Sequence, residues 1–297
     1  MLSVLIPVKD WNPCALVESL AAQLIQSKQS FEIIVSDDSV ESESLPLSQS
    51  IGQLPGVRYF CRQQPLGRSA NRNFLADQAI YPFLLFIDGD AGIADQKFIR
   101  NYFDHLSPGT VLCGGTLYHP DPPDNPDYLL RWKYGRSREQ IDAAKRQMNP
   151  WKSFSTFNFL IPAEVFLTIR FNETISGYGH EDTFFGIQLN QSDVKIIHLN
   201  NGLIHLGLES SINYLEKVRQ SVLNLIQLQQ RNLLPPKYWR DINLLRTLNL
   251  LKKLRITWLI SAWFNYRRKS MEKRLCGTHP SLLLLDLYKL GSISHID

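Results

Sequence analysis

The sequence predicts an α/β fold, a mostly parallel sheet flanked by helices with a helical C-terminal extension. Three observations carry this. Short apolar runs alternate with helical patterns through the first hundred residues, acidic residues stand where those runs end, and leucines interleaved with basic residues take over after residue 230. Ser3–Val8 (SVLIPV) reads as a buried strand, and Ala15–Gln26 as an amphipathic helix with apolar residues at three- and four-residue spacing. Phe31–Ser36 is a second strand ending in Asp37-Asp38-Ser39, Val57–Arg62 a short third, and Arg68–Ala79 a helix. Tyr81–Ile87 is a fourth strand that runs straight into Asp88-Gly89-Asp90.

After Gly114-Gly115 the alternation breaks, and the proline-rich Tyr118–Tyr128 stretch cannot be a regular element. Leu129–Met148 reads as an exposed, partly basic helix, and Phe154–Phe166 as strand, turn and helix. Gly177–Asp182 opens a helix over Thr183–Asn190, with Lys195–Leu199 and Gly202–Leu206 as short strands after it. Leu208–Leu234 is a long amphipathic helix stopped by Pro235-Pro236, so a boundary is expected near residue 230, between a main domain (1–230) and an extension (231–297).

Of the 297 residues 44% are apolar and 20% charged, which excludes wholesale disorder. The opening MLSVLIPVKDW has no basic leader region and reads directly as a strand, so no secretory signal is expected. Cys14, Cys61, Cys113 and Cys276 are far apart with no C-x-x-C pair, which points to reduced thiols and a cytoplasmic setting rather than zinc or disulfides. The net charge of +4 hides an asymmetry. Residues 1–230 hold 19 Lys and Arg against 24 Asp and Glu, whereas residues 231–274 hold 12 against 2. An acidic body argues against a nucleic-acid enzyme. The basic stretch contains Leu248–Leu254, Trp258, Trp263, Phe264 and Arg267-Arg268-Lys269, a mixture suited to a helix lying on an anionic membrane, or to packing on the main domain or another copy. It cannot span a bilayer, since the longest apolar run, Ile256–Phe264, has nine residues.

In sheets of this kind ligands bind at the carboxyl ends of the strands. Asp88 and Asp90 flanking Gly89 suit a divalent cation and the diphosphate it bridges, with the glycine letting the diphosphate approach; the alternative is a solvated turn. Asp37 or Asp38 would accept the imide N–H of a pyrimidine, or cap a turn. Glu181 and Asp182 stand at a helix N-terminus, where an ionised carboxylate is favoured and can serve as a general base; they can equally be a capping pair. His205, in the apolar run Leu203–Leu206, reads by itself as a core residue, and His198 likewise.

Together these residues resemble the nucleotide-sugar glycosyltransferases of GT-A fold, family 2, of the inverting, bacterial type. The likeness covers roughly residues 1–210, in order: Val4-Leu5-Ile6-Pro7, Ile34–Ser39 (IVSDDS), Gly67-Arg68-Ser69-Ala70-Asn71-Arg72-Asn73, the D-x-D of Phe86-Ile87-Asp88-Gly89-Asp90, and Gly179-His180-Glu181-Asp182 with Phe185-Gly186. Lys9-Asp10 replaces the commoner Tyr-Asn after the first strand, and no glycine follows the acidic turn. The resemblance implies a metal-dependent single displacement from a nucleoside-diphosphate sugar, with UDP as the expected nucleotide. Asp182, or else Glu181, would be the base. Pro7, Asp37, Asp38, Arg68, Asp88 and Gly89 would lie at the nucleotide sugar. Asp90 and His205, with Asp88 near the ribose or the metal, would hold Mn²⁺ or Mg²⁺. The acceptor would be a glycan or lipid-linked saccharide hydroxyl, as in polysaccharide biosynthesis, met at the inner face of the cytoplasmic membrane where the basic segment touches it. The segment His119–Trp151 would form an acceptor wall or lid, where Trp132, Tyr134 and Trp151 either stack on sugars or simply pack. A catalytically silent glycan- or partner-binding subunit and a sugar-phosphate nucleotidyltransferase are the rival readings; the second lacks the glycine-rich loop it would need after the first strand.

Overall fold

A computed structural model describes residues 1–39, 50–62, 64–175 and 177–296. The chain forms two compact units. One comprises Met1–His119, Glu139–Ser176 and Glu181–Gly207; the other Pro120–Arg138, Gly177–His180 and Leu208–Asp297. The division therefore falls at Gly207/Leu208 rather than near residue 230, because the helix Ser211–Gln230 shares a core with the C-terminal helices.

The first unit is built on a seven-stranded sheet. Its strands are β1 (Leu2–Val8), β2 (Phe31–Asp37), β3 (Val57–Cys61), β4 (Phe83–Ile87), β6 (Thr110–Cys113), β8 (Asn158–Pro162) and β9 (Lys195–His198), in the order β3-β2-β1-β4-β8-β6-β9. Adjacent pairs are parallel except that β8 runs antiparallel to both β4 and β6. The near-continuous apolar runs follow from burial on both faces. Leu2, Val4, Ile6, Ile33, Val35, Leu85 and Ile87 pack under α1 (Cys14–Ser27) and Phe98–Tyr102. Leu5, Ile34, Leu84 and Phe86 face Leu75 of α2 (Arg68–Gln78), Phe166 of α3 (Ala163–Thr168) and Phe185 of α4 (Glu181–Gln191). A smaller sheet joins β5 (Ala91–Gly92), β10 (Leu203–His205) and β7 (Thr116–Leu117).

The second face carries a phenylalanine cluster. Phe86 is fully buried, stacked on Phe159 at 4.8 Å with Phe166 at 5.2 Å. Phe86→Ala is expected to cost about 3–5 kcal/mol in urea unfolding, through lost transfer energy and the cavity left behind. A loss below about 1 kcal/mol would mean that the cluster collapses freely around the gap.

Leu129–Met148 is not one exposed helix. It splits into the short helix Leu129–Tyr134, a wider turn over Gly135–Glu139, and Ala143–Gln147. The physical reason is Arg146, which is buried and donates to the carbonyls of Ile141, Cys113, Gly114 and Leu199 and to Nδ1 of His198. These bonds replace the solvation that an exposed helix would have kept. His198 is a core residue; burial, then the Arg146 charge, pushes its pKa down to about 4 against the bond to the Pro150 carbonyl.

The second unit is helical. Ser211–Gln230 (α5), Asn243–Lys253 (α6), Thr257–Leu275 (α7) and Leu282–Ile296 (α8) are its main elements. Tyr214, Leu215, Val218, Phe264, Met271, Leu275, Leu285 and Tyr288 form its core together with Leu130. A side chain at Gly291 would stand 2.3 Å from the Phe264 ring, so glycine there allows the close crossing of α7 and α8.

Candidate active site

Because β1, β2 and β4 run parallel, their carboxyl ends share one edge of the sheet. The Gly89 N–H donates to the Pro7 carbonyl at 3.1 Å, and the Asp38 N–H to the Val8 carbonyl at 2.9 Å. A Cβ at Gly89 would lie 2.8 Å from a Val8 methyl, so the glycine makes room for β1 itself. Pro7 and Val8 thus fill the direction a side chain at position 89 would take.

Helix α2 is the hub. Gly67, at φ +85°, precedes it. The Asp38 carboxylate accepts the N–H groups of Leu66 (3.1 Å) and Gly67 (2.8 Å), which fixes the helix start beside the end of β2. Arg68 pairs with Glu181 at 3.6 Å. One turn on, Arg72 donates to Asp88 Oδ1 at 2.5 Å. Asn73 then closes reciprocal bonds with the main chain of Phe171, tying the helix to the phenylalanine cluster. Asp37 is fully buried, with its carboxylate accepting from Ser39 and from the Tyr59 hydroxyl at 2.7 Å, and so serves the fold.

Asp90 and His205 are far apart in the chain and meet through β5 and β10. Ala91 pairs with His205, and the Leu206 N–H donates to the Asp90 carbonyl. His205 Nε2 lies 3.3 Å from Asp90 Oδ2. The imidazole stands between Tyr118 and Phe157, each ring 5.5 Å away, and its buried Nδ1 has no partner among the described residues. Burial, the largest single effect, would raise the Asp90 carboxyl, but the hydrogen bond and charge of His205, with a backbone hydrogen bond and the Arg68 charge, together hold the group below its usual range. A side chain at Gly207 would strike Asp90 Oδ2 at 2.3 Å, so glycine keeps this corner open.

The donor set fits a hard divalent ion. Neighbouring ligands on an octahedral ion with bonds of about 2.1 Å stand about 3.0 Å apart, and such ions take few protein ligands, completing their shell from phosphate and water. Among the described residues no three His, Cys, Asp or Glu converge as a metal-binding group. Asp88, expected near the ribose or the metal, pairs with Arg72, while burial raises its pKa against that charge.

Glu181 and Asp182 open α4, after the turn of Gly177, Gly179 and His180, all at positive φ. Glu181 is buried and Asp182 half-buried. Asp182 Oδ1 accepts the Thr183 N–H at 2.6 Å. Burial, then the neighbouring Glu181 charge, nevertheless pushes the Asp182 pKa up to about 7, against the opposing charge of Arg72. A carboxyl with that pKa, between ionised and protonated at neutral pH, is suited to accepting a proton.

Arg72 is a residue of this edge to which the sequence pattern assigned no role. It is 2% exposed, and its Nε and Nη1 have no partner among the described residues. Paired with Asp88, this buried guanidinium fixes a positive charge at the carboxyl end of β4. Its place in the Arg72-Asn73 motif is the signal that pointed there. The aromatic residues expected at an acceptor wall pack instead in two cases: Tyr134 lies between Tyr214 and Lys289, and Trp151 against the phenylalanine core.

Residues 3–167 match the sequence profile of glycosyl transferase family 2. No curated protein matches significantly. Among solved structures, S. aureus TarS 1-349 is 17% identical, with 76% of this chain and 65% of that chain aligned at a TM-score of 0.50. The mannosyltransferase PcManGT from Pyrobaculum calidifontis, in complex with GDP-Man and Mn²⁺, is 12% identical over 77% and 64% at 0.53. Glucosyl-3-phosphoglycerate synthase from Mycobacterium tuberculosis, with Mn²⁺, UDP and glucosyl-3-phosphoglycerate, is 16% identical over 75% and 79% at 0.50. The chain thus spans less than two thirds of the first two, and likeness at these identities speaks for the fold. A profile match over more than half of the 297 residues, carried on this sheet, makes the chain a member of glycosyl transferase family 2 with the GT-A fold.

Proposed function

We propose that this chain is an inverting glycosyltransferase that moves a sugar from a nucleoside-diphosphate sugar, UDP-linked, to the hydroxyl of a glycan or lipid-linked saccharide. The observation that carries the reading is the run of contacts around α2, which joins Asp38, Glu181 and Asp88 through Gly67, Arg68 and Arg72. Asp38 keeps lone pairs for the imide N–H of a pyrimidine after accepting two backbone N–H groups. Arg68 and Arg72 bring positive charge to the donor's diphosphate. Asp182 takes the proton of the acceptor hydroxyl as that oxygen bonds the anomeric carbon; the bond to the diphosphate oxygen breaks, its electron pair leaves with the nucleotide, and the anomeric centre inverts. Asp90 and His205 would hold Mn²⁺ or Mg²⁺, which when bound neutralises charge on the leaving diphosphate. Two of the similar solved structures contain Mn²⁺ with a nucleotide or nucleotide sugar, which supports this cofactor class. A lipid-linked acceptor would be met at the anionic membrane surface for which residues 231–274 are charged.

Titration of UDP, GDP and dTDP with Mn²⁺ into the full chain tests the reading, followed by release of nucleoside diphosphate from a panel of their sugars. Binding of UDP in preference to the others, and metal-dependent release from one UDP-sugar, is the expected result. Absence of binding by all three nucleotides would sink it.

A further inference from the structure

The stripe of α7 that meets the core of its unit is Phe264, Met271 and Leu275. The other side is open. Trp258 is 66% exposed, Leu259 47%, Trp263 42% and Tyr266 84%, with Leu250 at 56% and Leu254 at 58% just before them. Positions 258, 262 and 266, and likewise 259 and 263, lie above one another at helical spacing, so these side chains form one patch on the face away from Phe264. Soluble surfaces rarely expose a contiguous group of this size without an occupant.

Charge identifies the occupant. Residues 246–274 contain nine Lys and Arg and a single acid, Glu272. That carboxylate is taken up inside the unit by Arg219 at 3.0 Å, Arg268 at 2.9 Å and the Tyr288 hydroxyl at 2.7 Å. Seven of the other eight cations bracket the patch, with Lys252, Lys253 and Arg255 at one end and Arg267, Lys269, Lys273 and Arg274 at the other, all exposed. Trp and Tyr settle at the headgroup boundary of a bilayer, and Lys and Arg beside them are drawn to anionic lipid. Among the described residues no helix is long and apolar enough to cross a membrane. We infer that Leu250–Arg274 seats this protein on an anionic lipid surface, with Trp258, Leu259, Trp263 and Tyr266 entering the headgroup–acyl boundary and the flanking cations on lipid phosphates. This gives residues to the membrane contact in the functional reading above, and rests on it only for its use in reaching an acceptor.

The test is co-sedimentation of the full chain with vesicles of phosphatidylcholine alone or mixed with phosphatidylglycerol. Two variants accompany it, Trp258→Ser/Trp263→Ser/Tyr266→Ser and Lys252→Glu/Lys253→Glu/Arg255→Glu, both confined to exposed positions. The wild type is expected to pellet with the mixed vesicles only, and each variant to bind about tenfold or more weakly. Equal binding to both vesicles, no binding to either, or unchanged binding by the variants overturns the inference. So does a dimer in sedimentation equilibrium that the aromatic variant dissociates, since the patch would then be an interface between copies. UDP titration on the same samples separates the two readings: vesicle binding without nucleotide binding keeps this surface and removes the transferase.

Discussion

Asp182→Asn is expected to lower turnover by about 10²–10⁴-fold, the usual worth of a positioned general base, with UDP affinity nearly unchanged. The base must be ionised, and its pKa stands at about 7, so wild-type turnover should rise with pH, be half-maximal near pH 7 and level off above. Removing the neighbouring charge in Glu181→Gln should move that midpoint to lower pH, because like charge is one of the two effects holding it up. The same shift bears on stability. The folded state binds this proton more tightly than the unfolded chain, so the contribution is fully present below the ordinary aspartate value and lost as pH rises through about 7. Asp182→Asn should therefore melt higher than wild type at pH 8 while turning over far more slowly. A variant that keeps wild-type turnover and pH profile would move the base elsewhere, with Glu181 next.

Asp90→Ala should lower metal-dependent turnover by roughly 10²–10³-fold and abolish the dependence of UDP binding on Mn²⁺. His205 alone would leave a single protein ligand, and a hard ion prefers carboxylate oxygen to imidazole. The measurement is UDP titration across a series of Mn²⁺ concentrations, in wild type and variant. Retention of the metal dependence in Asp90→Ala would remove the Asp90–His205 pair from the metal site. Arg72→Lys is a useful companion. Its guanidinium contacts Asp88 and not the Asp90–His205 pair, so weaker donor binding with metal dependence intact would separate the two.

Much of this site can be read from the chain alone because its parts are local. The runs ending in Asp37-Asp38 and Asp88-Gly89-Asp90 are strands followed at once by acids, and strand and acid cannot be parted by folding. Glu181 and Asp182 likewise sit at a helix start marked by glycines. What the pattern could not apportion was partnership. Asp37 and Asp38 are adjacent, yet one is consumed by Ser39 and Tyr59 and the other braces the start of α2. Asp88 and Asp90 are two residues apart, yet one turns to Arg72 and the other to His205. A stretch rich in Lys and Arg reads as exposed, and Arg146 is buried because four acceptors from distant segments, with the nearby Ile141 carbonyl, converge on it.

Sequence by itself determined the parallel sheet, the edge where ligands would bind, the acids on that edge and the basic character of the last third of the chain, since periodicity, adjacency and charge are carried by near neighbours. Only tertiary structure decided that Gly89 makes room for β1, that α2 connects three of the acids, that His205 is drawn from a core-like strand to Asp90 by the pairing of β5 with β10, and that Trp258, Trp263 and Tyr266 remain outside their own core. Each of these depends on which distant backbone arrives alongside, and pairing at that range follows from burying whole faces at once rather than from any local signal.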